Sequence, residues 1–567
     1  MAALASDDPK YDPAEKMLAG PASSPGYHTK IKSGRVHGTR ASLTYAAALL
    51  DSGEPERIAR AKEIIAKLIS LQDQNSANKT YGIWSWFLEE PLDKMAPPDW
   101  NWADFCSVQL LHAWIHHRDR LGVELANKTR DAVLHAARSI KKRNVGPSYT
   151  NIAIMGTYVT IVAGEQFGDA EILEYGRARL RKFHAYTFDQ GSFTEYNSPT
   201  YTIVALAELS RMLLHVQDAS DRKLVTELHE FAWKHIANHF HAPTRQWAGP
   251  HSRSYGDDLR HRGNALAVIQ AATGVDLGQK NPLPLGSDLY RLPLACSKEL
   301  ATQFKELKSP RNVIETFTKA DASKRGAKNP VVGTTYLSPS FALGTVNRGD
   351  LWNQRRPVLA YWGTPENMKW LRIRFLHDNY DYTSALVFTA QHEGSALVTI
   401  GFATDYGDTH PSLDKPKVPG RITAKDLRLR FEFGGDVAGV HTAVEGANAY
   451  ADTGRLLVAL RAVTESFDGA TVHWDTSSED GRKVVDRIVY SGESREFDFN
   501  KMEEAFFAFA ISLHPNDMVE EKHWADLKGS REGGFIRTAS PALGLSVSAL
   551  RKPSALAVAN DAAKIVS

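Results

Sequence analysis

Cysteine is nearly absent from this chain, with 2 residues in 567. Two thiols build neither a disulfide framework nor a metal-ligand pattern. Cys106 and Cys296 are expected as free, buried thiols, with one disulfide between them as the alternative. Long apolar runs are missing too. No stretch reaches the ~18 residues that a spanning helix needs, which excludes an integral helical membrane protein. An excess of charge is missing: 68 Lys+Arg against 66 Asp+Glu leave +2. With no basic stripe or arm, nothing points to nucleic acid. No Walker A loop, dinucleotide-binding glycine turn, His-Glu-x-x-His pair or nucleophile elbow is present. The first residues, Met-Ala-Ala-Leu-Ala-Ser-Asp-Asp-Pro, lack the regions of a secretory leader. A secreted or periplasmic chain in mature form is expected, with a cytoplasmic one as the alternative.

What is there is an ordinary globular composition, 43% hydrophobic and 24% charged. The length exceeds what one hydrophobic core fills, so at least two domains are expected. Residues 1–36, rich in Pro, Gly, Ser and Lys, read as an extended lead-in. Residues 37–308 carry apolar positions at three- and four-residue spacing in nine segments, the last over 257–273. Long helices joined by short loops pack as antiparallel pairs, and an (α/α) toroid buries one face of each. Residues 309–330 read as a linker. From 331 to 567 the pattern changes to short runs rich in Val, Phe, Tyr and Thr separated by Gly, Asp and Asn. These predict an antiparallel β-sandwich. All-α first and all-β second argues against a Rossmann or TIM fold.

Five clusters carry residue types suited to chemistry. Trp84, Trp86, Trp100 and Trp102 fall in loop-like sequence with Asn101 among them. Indole faces stack on sugar rings and amides bind hydroxyls; packing of the helix ends is the plainer reading. Asn151 stands at a helix start, suited to capping or to holding a carboxylate with the free backbone N–H groups. Residues 189–201, Asp-Gln-Gly-Ser-Phe-Thr-Glu-Tyr-Asn-Ser-Pro-Thr-Tyr, break the helical pattern and place Glu195, Tyr196, Asn197 and Tyr201 in one loop. In Trp247-Ala-Gly-Pro-His-Ser-Arg-Ser-Tyr255, His251, Arg253 and Tyr255 alternate and share a side if the piece is extended. In the β region, His377 stands near Asp378 and Tyr380, and His392 and Asp408 follow. The spacing fits no strong metal signature; a structural divalent ion at His392 and Asp408 is the weaker expectation beside solvated loops. The polar turn 353–357 is a further stretch able to reach a cleft.

The order of domains and the stretch Asp189-Gln190-Gly191-Ser192…Glu195…Ser198-Pro199-Thr200-Tyr201 resemble the heparinase II/III-like polysaccharide lyases. That family joins an (α/α) toroid to a β-sandwich. Its motif runs Asp-Gly-Gly/Ser, an acidic residue, then Ser-Pro-x-Tyr; here Gln190 is inserted. The resemblance implies that Tyr201 is catalytic. It also implies an Asn-His pair at a helix start, where this chain has Asn151-Ile152, so His251 is the substitute for the histidine. The implied reaction is β-elimination on a uronic acid within an anionic polysaccharide. A base removes the C5 proton, the 4-linked oxygen leaves, and a C4=C5 double bond forms. Asn151 with His251 or Arg253 would hold the uronate carboxylate. An Arg253 beside it would favour the Tyr201 phenolate. Tyr201 would serve as acid and base on one face, or as acid opposite a His251 base. No cofactor is required. Two alternatives belong to other classes. One is an (α/α)-toroid glycoside hydrolase pairing Asp99 or Asp104 with Glu195 or Asp257. The other is a non-catalytic glycan-binding protein using the tryptophans.

Overall fold

The computed structural model describes residues 4–22, 28–261, 263–279, 288–319, 329–515, 524 and 526–567. The first half holds α1 (Thr39–Ser52), α2 (Pro55–Ser70), α3 (Trp102–Leu121), α4 (Val123–Arg143) and α5 (Thr150–Phe167). It continues with α6 (Ala170–Gln190), α7 (Tyr201–His215), α8 (Ala219–His239), α9 (Ala265–Thr273) and α10 (Lys298–Lys305). Contacts run α1–α3–α5–α7 along an inner row and α2–α4–α6–α8 along an outer row. This is the (α/α) arrangement of paired helices.

Burial capacity sorts helices between the rows. α5 is buried continuously from Thr150 to Gly164. A helix apolar all round belongs inside. α2 buries a single stripe of Ala61, Ile64, Ile65, Leu68 and Ile69, and turns its charged side outward. No described helix is long and apolar enough to cross a membrane. Each inner helix is followed by an antiparallel outer one, so α3, α5 and α7 all begin at the same end of the ring. The segments ahead of them, 71–101, 144–149 and 191–200, gather there. Their N–H groups give that end a partial positive charge.

Three expectations are corrected. The lead-in is not merely extended: Tyr11–Asp12, Met17–Pro21 and Arg35–His37 form a small sheet, with Met17 fully buried. The segment 257–273 is helical only over Ala265–Thr273, because Asp257 is drawn to arginines of the β half. The linker contains a strand: Arg311–Thr318 pairs antiparallel with Val331–Leu337. Its polar alternation, Arg-Asn-Val-Ile-Glu-Thr, is that of an edge strand with one wet face. The remainder of that linker, 320–328, lies outside the described residues. Both cysteines are free.

Among the described residues the named strands of the second half pair antiparallel, in sheets of nine, seven and four strands. Phe375, Leu429, Phe431 and Phe433 of the nine-stranded sheet pack against Val387, Val398, Ile400, Phe507 and Phe509 of the seven-stranded one. Leu386, Phe388 and Phe506 point the other way, onto Ile536, Leu545 and Val547 of the four-stranded sheet. The middle sheet is therefore buried on both faces. This accounts for the continuous burial along Ser395–Phe402 and from Ala505 to His514, and adds a third layer to the expected sandwich.

The helical ring sits on the outer face of the nine-stranded sheet. Ala248 packs on Leu337 and Ala342, and the Gly249 carbonyl accepts from Thr335 Oγ1 at 2.6 Å. Gly344 is obligatory there, since any side chain on it would collide with that carbonyl. Gly191, the left-handed cap of α6, likewise leaves no room: a Cβ would lie 2.5 Å from the Thr316 carbonyl.

Candidate active site

The loop 191–200 is built by its own polar side chains. Asn197 has φ +42 and is fully buried. Its Oδ1 accepts from the Trp247 indole at 2.5 Å, and its Nδ2 donates to the Ala248 and Pro250 carbonyls at 2.9 and 2.8 Å. Ser198 Oγ caps α7 by accepting from the Tyr201 N–H at 2.9 Å, and donates to the Arg253 carbonyl at 2.7 Å. The loop 247–256 is thereby held against the start of α7. From its other side, His251 exchanges backbone hydrogen bonds with Arg356, and the Ser254 N–H donates to the Gln354 carbonyl at 2.7 Å.

Arg253 lies at the centre. Its Nη2 donates to the Tyr201 hydroxyl at 3.0 Å and to the Tyr255 hydroxyl at 3.3 Å. Those two hydroxyls are 2.8 Å apart. Its Nη1 meets Glu195 Oε1 at 3.3 Å, and its Nε donates to Gln354 Oε1 at 2.9 Å. The guanidinium also lies over the rings of Tyr201 and Trp352. Glu195 Oε2 in turn accepts from the Asn151 N–H at 3.4 Å at the start of α5. Asn151 Oδ1 is buried with no hydrogen-bond partner. One chain of contacts thus runs Asn151–Glu195–Arg253–Tyr201–Tyr255.

Burial dominates the electrostatics. It raises the Tyr201 phenol well above its ordinary value, against the pull of Arg253 and with a further push from Tyr255. The expected lowering by Arg253 is there but is outweighed by burial. Burial also raises Glu195, although Arg253 and the Asn151 N–H oppose it. Burial and the Arg356 charge push His251 down to about 3, so it is neutral. Its Nε2 meets the Trp247 carbonyl at 3.0 Å, and its Nδ1 is buried without a partner.

The other expected residues divide between the site's margin and the packing. Trp86 and Trp102 stack with centroids 5.0 Å apart, both partly exposed. Trp100 donates its indole N–H to the Lys79 carbonyl at 3.1 Å. Asn101 donates to the Tyr149 hydroxyl at 3.2 Å. Trp84 is fully buried, with its N–H on the Leu68 carbonyl, so it packs the core rather than offering a face. Asn197 has every side-chain hydrogen bond spent internally, and is a scaffold rather than a sugar ligand. Tyr196 lies flat on Phe317, centroids 4.0 Å apart, which pins the loop to the β half; burial pushes its hydroxyl up to about 12. His377 uses both nitrogens inside the β half, on Asp408 Oδ1 and the Thr423 carbonyl, each at 2.9 Å.

His392 is exposed at a hairpin turn and Asp408 is engaged by His377. Among the described residues, the groups with metal-ligand spacing lie elsewhere, at Asp51/His112/His117 and at His235/His239/Glu315. Sequence reasoning did not single out Tyr149, Trp352 or Gln354. Only the polar turn after Trp352 carried a signal.

Residues 3–283, just under half of the chain, match a family model described as a domain of unknown function (DUF8769). No curated protein matches the chain in sequence. Among solved structures the chain is similar to heparinase III, at 10% identity over 94% of this chain and 85% of that one, with a TM-score of 0.47. It is similar to the chondroitin lyase ODV-E66, a baculovirus envelope protein, at 9% identity over 91% and 81%, with a TM-score of 0.31. It is also similar to endoglucanase CelQ from Clostridium thermocellum, at 9% identity over 86% and 72%, with a TM-score of 0.26. Likenesses of this depth carry nothing about the reaction.

Proposed function

We propose that the chain is a polysaccharide lyase that cleaves a uronate-containing glycan by β-elimination. The observation that carries this reading is the pair of phenols, Tyr201 and Tyr255, joined at 2.8 Å under one guanidinium. The reaction requires the pair to hold one proton fewer than two neutral phenols; burial opposes that loss in the free site, and Arg253 supplies the charge that offsets it in part. The phenolate takes the C5 proton. The electron pair of that C–H bond forms C4=C5, the C4–O4 bond breaks, and the neighbouring phenol gives O4 its proton. The pair is then back in its starting state, and no oxidant or reductant is consumed.

Removing a proton beside a carboxylate piles negative charge on an anion, so the site must supply positive potential there. Arg253 would do so, together with the N-terminal ends of α3, α5 and α7. The Trp86–Trp102 stack, Trp100 and Asn101 would bind neighbouring sugars. His251, neutral and joined by no hydrogen bond to the phenols, shapes the loop in this reading. A polysaccharide substrate fits a secreted or periplasmic protein.

The paired-carboxylate alternative is disfavoured by two of its four carboxylates, one held in ion pairs and one enclosed. Asp257 is clamped by Arg356 and by Arg372 at 3.0 Å, and Asp104 is 2% exposed. The test is incubation with alginate, glucuronan, hyaluronan and heparan-type glycans, reading the ultraviolet absorbance of an unsaturated uronate. Growth of that absorbance on one polymer is expected. Release of sugar from any of them without it would overturn the reading.

A further inference from the structure

At the end of the ring opposite the candidate active site, α1 closes with Asp51 and α3 passes with His112 and His117. His112 Nε2 lies 2.8 Å and His117 Nε2 2.7 Å from the same carboxylate oxygen, Asp51 Oδ1. The other oxygen accepts from Tyr290 Oη at 2.5 Å and Arg291 Nε at 2.6 Å. All three side chains are largely enclosed, at 21%, 8% and 10% exposure for Asp51, His112 and His117.

Two residues five apart on a regular helix point ~140° away from each other and cannot meet at one oxygen. Here they do, because α3 leaves helical geometry at His117 itself, with φ −133 and ψ 20. The irregularity thus falls on the residue whose ring it redirects.

We propose that Asp51, His112 and His117 bind a divalent first-row metal ion, zinc by preference. Two imidazoles and one carboxylate are a ligand set for zinc, with Zn–N and Zn–O distances of about 2.0–2.2 Å. At those bond lengths neighbouring ligand atoms of a tetrahedron stand ~3.3 Å apart, so each of the present contacts opens by about half an ångström. On binding, each imidazole presents its Nε2 lone pair and carries its proton on Nδ1, which at His117 displaces the exposed Arg120 Nη1 now 3.4 Å from that nitrogen. Tyr290 and Arg291 keep the carboxylate oriented through its second oxygen, the usual work of outer partners. The remaining coordination position takes water. The ion ties the last turn of α1 to the bend of α3, while Asp51 keeps its hydrogen bonds to the turn Leu289–Arg291.

Neighbouring histidines are otherwise engaged. His116 Nε2 and His215 Nε2 face each other at 2.8 Å, and His215 Nδ1 meets Tyr158 Oη at 3.0 Å. The second histidine cluster is chemically less apt. His235 Nε2 accepts the Asn197 N–H at 3.1 Å, so its proton sits on Nδ1, directed at Glu315 Oε2, 2.8 Å away. A metal on that Nδ1 would leave the ring with no proton to carry.

The experiment strips the full chain with a chelator and titrates it with cobalt(II) chloride and with zinc chloride. One ion per chain is expected, with the visible absorption of four- or five-coordinate cobalt and a higher melting temperature in zinc. His112→Gln and His117→Gln should each weaken binding at least tenfold, while Glu315→Gln leaves it unchanged; circular dichroism checks that each variant folds. No saturable binding by the stripped wild-type chain would overturn the proposal. So would binding that survives in the double variant, or that is lost in Glu315→Gln.

Discussion

The hydroxyls of Tyr201 and Tyr255 lie 2.8 Å apart, and one nitrogen of Arg253 donates to both. Tyr201 opens α7, while Tyr255, 47% exposed, stands on a loop fixed by both halves of the molecule. One O–H is consumed between the phenols, which leaves the other oxygen's proton for a third partner. That division of two protons between two rings makes the variants of this site informative.

Tyr201→Phe removes one member of the acid–base pair. A positioned proton donor is worth about 10²–10⁴ in rate, so turnover should fall by about that factor with the fold intact. Tyr255→Phe should cost a similar amount, and His251→Gln much less. Retention of more than a tenth of wild-type turnover by Tyr201→Phe, measured by ultraviolet absorbance on the responsive polymer, would remove Tyr201 from the chemistry.

Gln354→Ala deletes the hydrogen bond that orients Arg253 from the β half. A hydrogen bond to a charged group is worth ~1.5–3 kcal/mol, which sets an upper limit of roughly 10- to 100-fold on the loss. The loss should fall on kcat rather than KM if Arg253 acts in the transition state. Gln354→Glu, which keeps an acceptor, should recover part of it. Equal effects of both variants on KM alone would assign Gln354 to substrate binding.

Asn197→Ala should destabilise the protein by about 3 kcal/mol or more. It leaves the Trp247 N–H and two carbonyls unpaired, at ~1–3 kcal/mol each, and puts alanine at positive φ. Chemical denaturation measures this directly. A variant of native stability with a raised KM would instead make Asn197 a sugar ligand.

Acid should loosen the junction of the two halves. Burial raises the Asp257 carboxyl, but Arg356 and Arg372 outweigh it and hold it down at about 2, below its ordinary 3.8. A depressed carboxyl contributes stability above its unfolded pKa and loses it as pH falls through the folded value. The window is therefore about pH 4 to 2, and the contribution at neutral pH is roughly 2 kcal/mol. Asp257→Asn should flatten the acid limb of the stability curve and lower stability at pH 7, because it takes the carboxylate from buried Arg356 and leaves Arg372 with Glu432 alone, at 3.0 Å. An unchanged acid limb in this variant would place the titrating group elsewhere.

Trp86→Ala and Trp102→Ala should raise KM for long glycans more than they lower stability. Trp84→Ala should instead cost about 3–5 kcal/mol of stability, the usual penalty for emptying a core site of this size. Calorimetry beside kinetics separates the two classes. A stable Trp84→Ala with weakened binding would reverse the assignment.

Periodicity alone brought the chain a long way. The apolar spacing of α1 to α8 and the short β-branched runs after 331 each imply their element, because burial demands one face per helix and alternate residues per strand. Edge strands escaped that logic. Arg311–Thr318 and His473–Glu479 are half wet and rich in charge, so they resemble loops until a partner strand is found. Within the site, Ser-Pro-x-Tyr marked Tyr201, and the alternation of Arg253 and Tyr255 marked a shared side. The same alternation misplaced His251. It lies two residues after Gly249, where the backbone is pressed against the β half, and its ring folds back to the Trp247 carbonyl.

The sequence by itself therefore determined α1 to α8 and the strands with a buried face, the division into an α half and a β half, and the tyrosine at the head of α7. Only the tertiary structure decided which polar groups meet. Arg253 gathers Tyr201, Glu195 and Gln354 from 52, 58 and 101 residues away. Local spacing carries no information on such distant pairings. They follow from how the ring seats on the sheet, through Gly249 on Gly344, Tyr196 on Phe317 and Asp257 between two arginines. The direction of the Tyr201 pKa was settled in the same way. Arg253 in sequence suggested a lowered phenol, whereas enclosure by both halves removes water, and the cost of a buried charge outweighs one shared guanidinium.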